Sequence, residues 1–344
     1  MTLQIGYRVT QGDHYLGFTA TFFQNNFQAH SGAGSIRYRI KRLEILFNSA
    51  CLSIFGFAVR RLPTSVLVLV LAPPALIKTT VEIIGRKRTA PCYSKLRKGL
   101  TRCIPSVGFP TLFWIRLRLN INRAMTFSGG QIRDSRWQAR IEYRGLDELL
   151  NCVNSGQSVL LTSLHYGSPR DASIIMRSLG VRISSLAHGP LRPLEQSSWN
   201  TRVEQWGLQS VPYIFYPTDM WEMKDFLCEP GNALLMLIET ENCERNMSAA
   251  FLGGQIRAAK GFIKFAEMTN AVVLPFTCTS TGFLRWRLTF GNAMVYDGDA
   301  CEPSTFLQQT VQQLEPEVSA HAAQIQPELI RALIRKNDAD LHQQ

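Results

Sequence analysis

From about residue 140 onward the chain alternates short apolar runs with amphipathic stretches, and this alternation restricts the possible folds more than any other feature. Apolar runs of this length fit strands buried on both faces, and the stretches between them fit the helices that cover such strands. Strands are expected over 141–143, 159–163, 181–186, 233–238, 272–276 and 286–290. Helices are expected over 146–155, 169–179, 196–206, 217–227 and 259–269, with a helical tail over 304–337. The order predicts an α/β domain with a mostly parallel sheet flanked by helices. With 344 residues, 45% of them hydrophobic, the chain can bury a sizeable core, which excludes a disordered chain or a disulfide-stapled miniprotein.

Ahead of this domain, residues 43–84 carry two apolar runs, LEILFNSACLSIFGFAV and SVLVLVLAPPALI, separated by Arg60, Arg61 and Pro63. A membrane span needs about 20 apolar residues, and polar, charged or proline positions interrupt each run sooner. Two helices that dip into or lie along a bilayer face fit better. Arg60, Arg61, Lys78, Arg86, Lys87, Arg88, Lys95, Arg97, Lys98 and Arg102 would then sit at headgroup level. A buried helical hairpin with a solvated basic rim is the other reading. Residues 108–126 continue as a basic helix with Phe113, Trp114 and Leu117 on its apolar side.

The formal net charge of +11 is unevenly spread: residues 1–130 hold 18 Lys/Arg against 3 Asp/Glu, and the remainder holds 19 against 23. The positive charge thus belongs to the apolar N-terminal helices, where it suits an anionic membrane surface. The basic residues flank apolar runs and include no nucleic-acid-binding motif, so nucleic acid is not an expected partner. The division expected is a poorly ordered extension over 1–41, a basic apolar helical membrane-association region over 42–130, and the α/β domain over 131–344. The first 35 residues show no secretory signal pattern. The eight cysteines form no CxxC pair and no ligand-like spacing with histidine, so they read as reduced, mostly buried thiols, and no metal or organic cofactor is expected.

The strand expected at 159–163 runs into Leu164-His165-Tyr166-Gly167-Ser168-Pro169-Arg170-Asp171 and then into an amphipathic helix. A histidine at the C-terminal edge of a central strand stands where open α/β sheets place their active sites. With its surroundings, SVLLTSLHYGSPRDASIIMRSLG resembles the histidine block of the lauroyl/myristoyl-type acyltransferases of lipid A biosynthesis, within the glycerolipid acyltransferase group. That family has a strand, His-Phe/Tyr-Gly-Asn-x-Glu/Asp and a helix. Upstream, IEYRGLDELLNCVNSGQSVLLTSLHYG is similar to its lead-in. Downstream, FLGGQIRAAKGFIKFAEMTNAVVLPF over 251–276 is similar to its FFG…G…A…TGAPVVPV block. IETE over 238–241 stands where the family has Pro-Asp-Gln-Asp, and Pro327-Glu328 also agrees in position. The likeness covers residues 42–336.

The resemblance implies a glycerolipid acyltransferase-like fold and transfer of a fatty acyl group to a hydroxyl of a membrane lipid or glycolipid. The donor would be an acyl thioester on acyl carrier protein or coenzyme A, and the place the cytoplasmic face of an inner membrane. An alcohol attacks a thioester poorly unless a base takes its proton, and His165 would be that base. A carboxylate would hold its other nitrogen, and the amides after Gly167 would stabilise the oxyanion. No acyl-enzyme is needed, in keeping with the absence of a GxSxG elbow. The resemblance also implies substrate-binding roles for Arg192, near the acceptor or its phosphate, and for Glu239 and Glu241 at the family's acidic pair. Arg257 and Lys260 would neutralise phosphates or an acidic carrier.

The chain departs from the family at one position. The acidic residue five after the histidine is replaced by Arg170, itself a candidate substrate-binding residue, and a carboxylate comes one residue later, at Asp171. One residue on a helix is a rotation of about 100°. Either the turn at Pro169 absorbs the extra residue and Asp171 orients His165, or Ser168 is an N-cap, Pro169 the first helical residue and Asp171 a capping-box acid. In the second case Glu239 or Glu241 would supply the carboxylate. The departure also leaves open transfer to a non-lipid hydroxyl or amine, or a non-catalytic membrane- or carrier-binding homologue.

Overall fold

A computed structural model describes residues 63–85, 90–98, 106–128, 135–186, 214–240 and 246–334. The 1–41 extension, the first apolar run, the helix expected over 196–206, and the basic residues 60, 61, 86–88 and 102 lie outside them.

The chain enters through α1 (Thr64–Thr80), a π-helical turn at Val81–Gly85, α2 (Ala90–Arg97), α3 (Phe109–Ser128) and the short α4 (Ser135–Gln138). The domain follows as β1 (Ile141–Arg144), α5 (Leu146–Asn154), β2 (Val159–Ser163), α6 (Pro169–Ser178), β3 (Arg182–Leu186) and β4 (Ile214–Phe215). Next come α7 (Met220–Cys228), β5 (Asn232–Leu237), β6 (Asn246–Phe251), β7 (Gly254–Ala259), α8 (Gly261–Thr269), β8 (Val272–Gly282) and β9 (Arg285–Phe290). α9 (Pro303–Ala320), a 3₁₀ turn at Ala322–Gln324, α10 (Pro327–Ala332) and β10 (Leu333–Ile334) complete it.

Seven strands form one sheet in the order β1-β9-β8-β2-β5-β3-β4. β8, β2, β5, β3 and β4 run parallel, while β9 returns antiparallel to β8 and β1 lies parallel to β9. The sheet is thus mostly parallel and mixed at one edge. Every residue of β2 is buried, as expected of a strand covered on both faces. Alternate side chains feed two cores. Leu160, Leu234 and Val273 meet Phe226 of α7, Phe262 of α8 and Phe306 of α9. Val159, Leu161, Leu235 and Leu274 meet Leu149 of α5, Ile175 of α6 and Leu71 of α1.

The second apolar run, whose prolines interrupt it as a membrane span, forms one continuous helix, α1, through Pro73 and Pro74. A proline inside a helix costs about 3 kcal/mol. Burial of Leu67, Leu71 and Ala75 against Leu117, Ile121 and Met125 of α3 offsets that cost, since each large apolar side chain contributes about 1.5–3 kcal/mol. The inward row repeats every four residues, through Thr79 and Ile83, whereas Leu69, Val70, Leu76, Ile77 and Val81 face outward. Over Ser65–Ile83 the helix is long and apolar enough to cross a membrane by length and composition, and only 28% of that window is buried.

Two elements differ from the expectation. The block over 246–259 is an antiparallel hairpin, β6-β7, with β10 added at its edge. Leu252 (φ 53°) and Gly253 (φ 68°) form its two-residue turn, both in the left-handed region that such hairpin turns require. The tail is not helical throughout: after α9 it passes through the 3₁₀ turn and α10 into β10.

Candidate active site

His165 lies two residues beyond the end of β2, and Glu239 two residues beyond the end of β5. These strands are parallel neighbours, with Ser163 opposite Leu237. That register carries the two chain ends forward side by side at the C-terminal edge of the sheet. Glu239 Oε1 accepts from both His165 Nδ1 and the His165 backbone N–H, each at 2.5 Å. The carboxylate fixes the tautomer by this bond: the proton sits on Nδ1, and Nε2 keeps the lone pair. The Glu239 side chain is 1% exposed and that of His165 30%, so the acid is a buried support and the imidazole reaches solvent. Glu239 Oε2 is buried without a hydrogen-bond partner.

Burial alone would push the His165 pKa down. The Glu239 charge and hydrogen bond, with Glu328 adding, outweigh burial and an opposing push from Arg170, so it ends above the ordinary histidine value.

Asp171 does not orient the imidazole. It is the third residue of α6, after Ser168 at the N-cap position and Pro169 at the first helical position. Its carboxylate is fully buried on the other side of the helix start, where Oδ2 accepts from Trp286 Nε1 at 3.1 Å and Oδ1 has no hydrogen-bond partner. Burial raises its pKa to about 6, against the pull of Arg123, the Trp286 hydrogen bond, the Ser168 hydroxyl and Lys78. The 100° step decides the matter: Arg170 faces solvent and Asp171 faces the core. The N-cap is one of position only, since the Ser168 side chain makes no capping hydrogen bond.

The turn that carries His165 is fastened from three directions. Tyr166 bridges Ile325 antiparallel, Gln326 N–H donates to His165 O at 2.9 Å, and Gly167 N–H donates to Gln324 O at 3.1 Å. Gln326 Nε2 adds a bond to Gly167 O at 2.8 Å. From β8, Cys278 O accepts from Ser168 N–H at 2.9 Å. Gly167 has φ +56°, and a Cβ there would stand 2.0 Å from Cys278 O, so only glycine fits. From α3, buried Arg116 donates to Ile325 O and lies over the Tyr93 ring of α2 at 4.7 Å. The basic helices therefore touch the segment that backs His165. Gln324, Gln326 and Arg116 had no sequence motif to mark them.

The remaining expected residues divide. Arg257 lies on β7, and its carbonyl accepts from Thr240 N–H, one residue past Glu239. Lys260 is exposed at the N-cap of α8. Arg192 and Glu241 lie outside the described residues. Of the amides after Gly167 expected to serve an oxyanion, Ser168 N–H donates to Cys278 O at 2.9 Å and Asp171 N–H to Ser168 O at 3.0 Å. Among the described residues no group of three His, Cys, Asp or Glu could hold a metal ion.

A scan against protein-family models finds no match for this chain, and neither does a search of curated proteins.

Proposed function

We propose that the chain is an acyltransferase that moves a fatty acyl group from an acyl thioester, on acyl carrier protein or coenzyme A, to a hydroxyl of a membrane lipid or glycolipid. The observation that carries this reading is the His165–Glu239 pair: a solvent-reaching imidazole, held in one tautomer by a buried carboxylate at the C-terminal edge of a mostly parallel sheet. This arrangement suits general-base removal of a proton from an alcohol, after which the imidazolium can protonate the departing thiolate. It also agrees with the resemblance of 159–180 and 251–276 to the lipid A acyltransferases.

The outward apolar face of α1 supports work at a bilayer, with Leu69 71% and Ile77 67% exposed. The basic balance of residues 1–130 suits an anionic, cytoplasmic leaflet. The test is incubation of purified protein with acyl-carrier and acyl-coenzyme A thioesters and a lipid extract, followed by mass spectrometry of the lipids. The wild type should yield an acylated lipid that His165→Ala, folded as judged by its melt, does not.

A further inference from the structure

The His165–Glu239 pair joins side chains from two strand ends, so its geometry depends on what holds each segment once it has left the sheet. Glu239 is held by β7: it bridges Ala258 antiparallel, with Ala259 N–H donating to Ile238 O at 2.9 Å and Thr240 N–H to Arg257 O at 3.1 Å. His165 is held by the segment between the 3₁₀ turn and α10, which continues through α10 into β10 and pairs with that same β7. Both halves of the pair are thus tied to one strand of the small sheet. The contact closest to His165 comes from Gln326, whose backbone N–H donates to His165 O at 2.9 Å and whose Nε2 donates to Gly167 O at 2.8 Å. Gln326 occupies the N-cap position of α10, where a short side chain such as Ser, Asp or Asn caps best, and its own side chain makes no capping bond. The long amide reaches the histidine turn instead.

We propose that Gln326 is a positioning residue for His165: by clamping the carbonyls of His165 and Gly167 it sets the turn so that Nδ1 meets Glu239 Oε1 and Nε2 is left to the substrate. The inference rests on the acyltransferase reading and names a residue that acts through the histidine. The Nδ1–Oε1 separation of 2.5 Å is sensitive to the turn, since a swing of about 1 Å takes the pair to the limit of a hydrogen bond and moves Nε2 away from an acceptor hydroxyl. Other anchors keep the turn folded without the Gln326 side chain. Tyr166 OH lies 3.0 Å from Glu317 O and 3.2 Å from Thr279 Oγ1, and Gly167 N–H donates to Gln324 O at 3.1 Å. Loss of the amide therefore loosens the position of the imidazole and leaves the fold in place.

The experiment compares wild type, Gln326→Asn and Gln326→Lys in steady-state transfer from an acyl-coenzyme A or acyl-carrier thioester to lipid extract across a range of pH, with a titration of His165 by NMR in each. Asn is one methylene too short for Gly167 O yet a better N-cap, so the Gln326→Asn melt should stay level or rise. Its kcat should fall about 10- to 100-fold, with the KM for thioester changing less than about threefold. The His165 pKa and the acid limb of the pH profile should both move down, because the Glu239 contact that lifts them is loosened. Gln326→Lys, which restores a donor of sufficient reach, should recover part of each change. An active wild type whose Gln326→Asn form keeps its kcat and its His165 pKa overturns the role of Gln326 alone. A wild type that transfers nothing overturns the acyltransferase reading beneath it, and the titration then still decides the positioning: equal His165 pKa values in wild type and Gln326→Asn overturn that too.

Discussion

One carboxylate oxygen of Glu239 accepts from both the amide and Nδ1 of His165, at 2.5 Å each, across the ends of two parallel strands. The double contact ties the histidine's backbone and its ring to the same buried acid. Removing the charge while keeping the shape therefore separates orientation from basicity.

In Glu239→Gln the pull that lifts the His165 pKa is lost, while burial and Arg170 still press it down. The base works in its neutral form, so activity rises as pH passes through that pKa. The acid limb of the pH–rate profile should begin above the ordinary histidine range in the wild type and shift to lower pH in Glu239→Gln. An unmoved limb contradicts the pairing.

Asp171 predicts a stability effect of a different kind. Its pKa is raised from 3.8 to about 6 at a fully buried site, so the folded state binds this proton more tightly than the unfolded one. The contribution is present below the unfolded pKa and is lost as pH rises through about 6, on the order of 3 kcal/mol between pH 3 and pH 7. Asp171→Asn keeps an oxygen for Trp286 Nε1 and removes the titration. Its melting temperature should change less with pH over that window than the wild type's.

Gly167→Ala should be among the most damaging small substitutions in the chain. The methyl group meets Cys278 O at 2.0 Å and the residue holds a left-handed φ, so the turn must move. We expect a loss well above 1 kcal/mol in denaturant unfolding, together with loss of transfer activity. Gly180→Ala, at φ +90° but with nothing within 4 Å, controls for backbone strain without collision.

Leu69→Asp and Ile77→Asp place charge on the outward face of α1 without disturbing the row packed on α3. Sedimentation with vesicles rich in anionic lipid should show weaker binding for both, with melts in detergent-free buffer unchanged or slightly improved. Binding equal to wild type would instead favour a buried or partnered role for this face.

The central strands were legible because both faces of β2, β5 and β8 are covered, which makes each of them a compact apolar run. The β6-β7 hairpin was not, since Ala249, Ala258 and Ala259 blur its alternation, although Gly253-Gly254 is a turn signal that marks it. His165 was legible from its block, and Glu239 only as one of several acids. The choice between Glu239 and Asp171 depends on strand order and register, which bring together residues 74 positions apart and which neither segment encodes alone. Gln324, Gln326 and Arg116 act through backbone groups of the 165–167 turn and the segment behind it, and such contacts leave no side-chain pattern to read.

The most direct measurement is transfer from an acyl thioester to extracted lipid, followed by mass spectrometry at neutral pH, for wild type, Glu239→Gln and Asp171→Asn. The account predicts an acyl-lipid product in the wild type, a loss of about 10²- to 10⁴-fold in Glu239→Gln, and turnover within a few-fold of wild type in Asp171→Asn. A product that survives in Glu239→Gln and disappears in Asp171→Asn would contradict it.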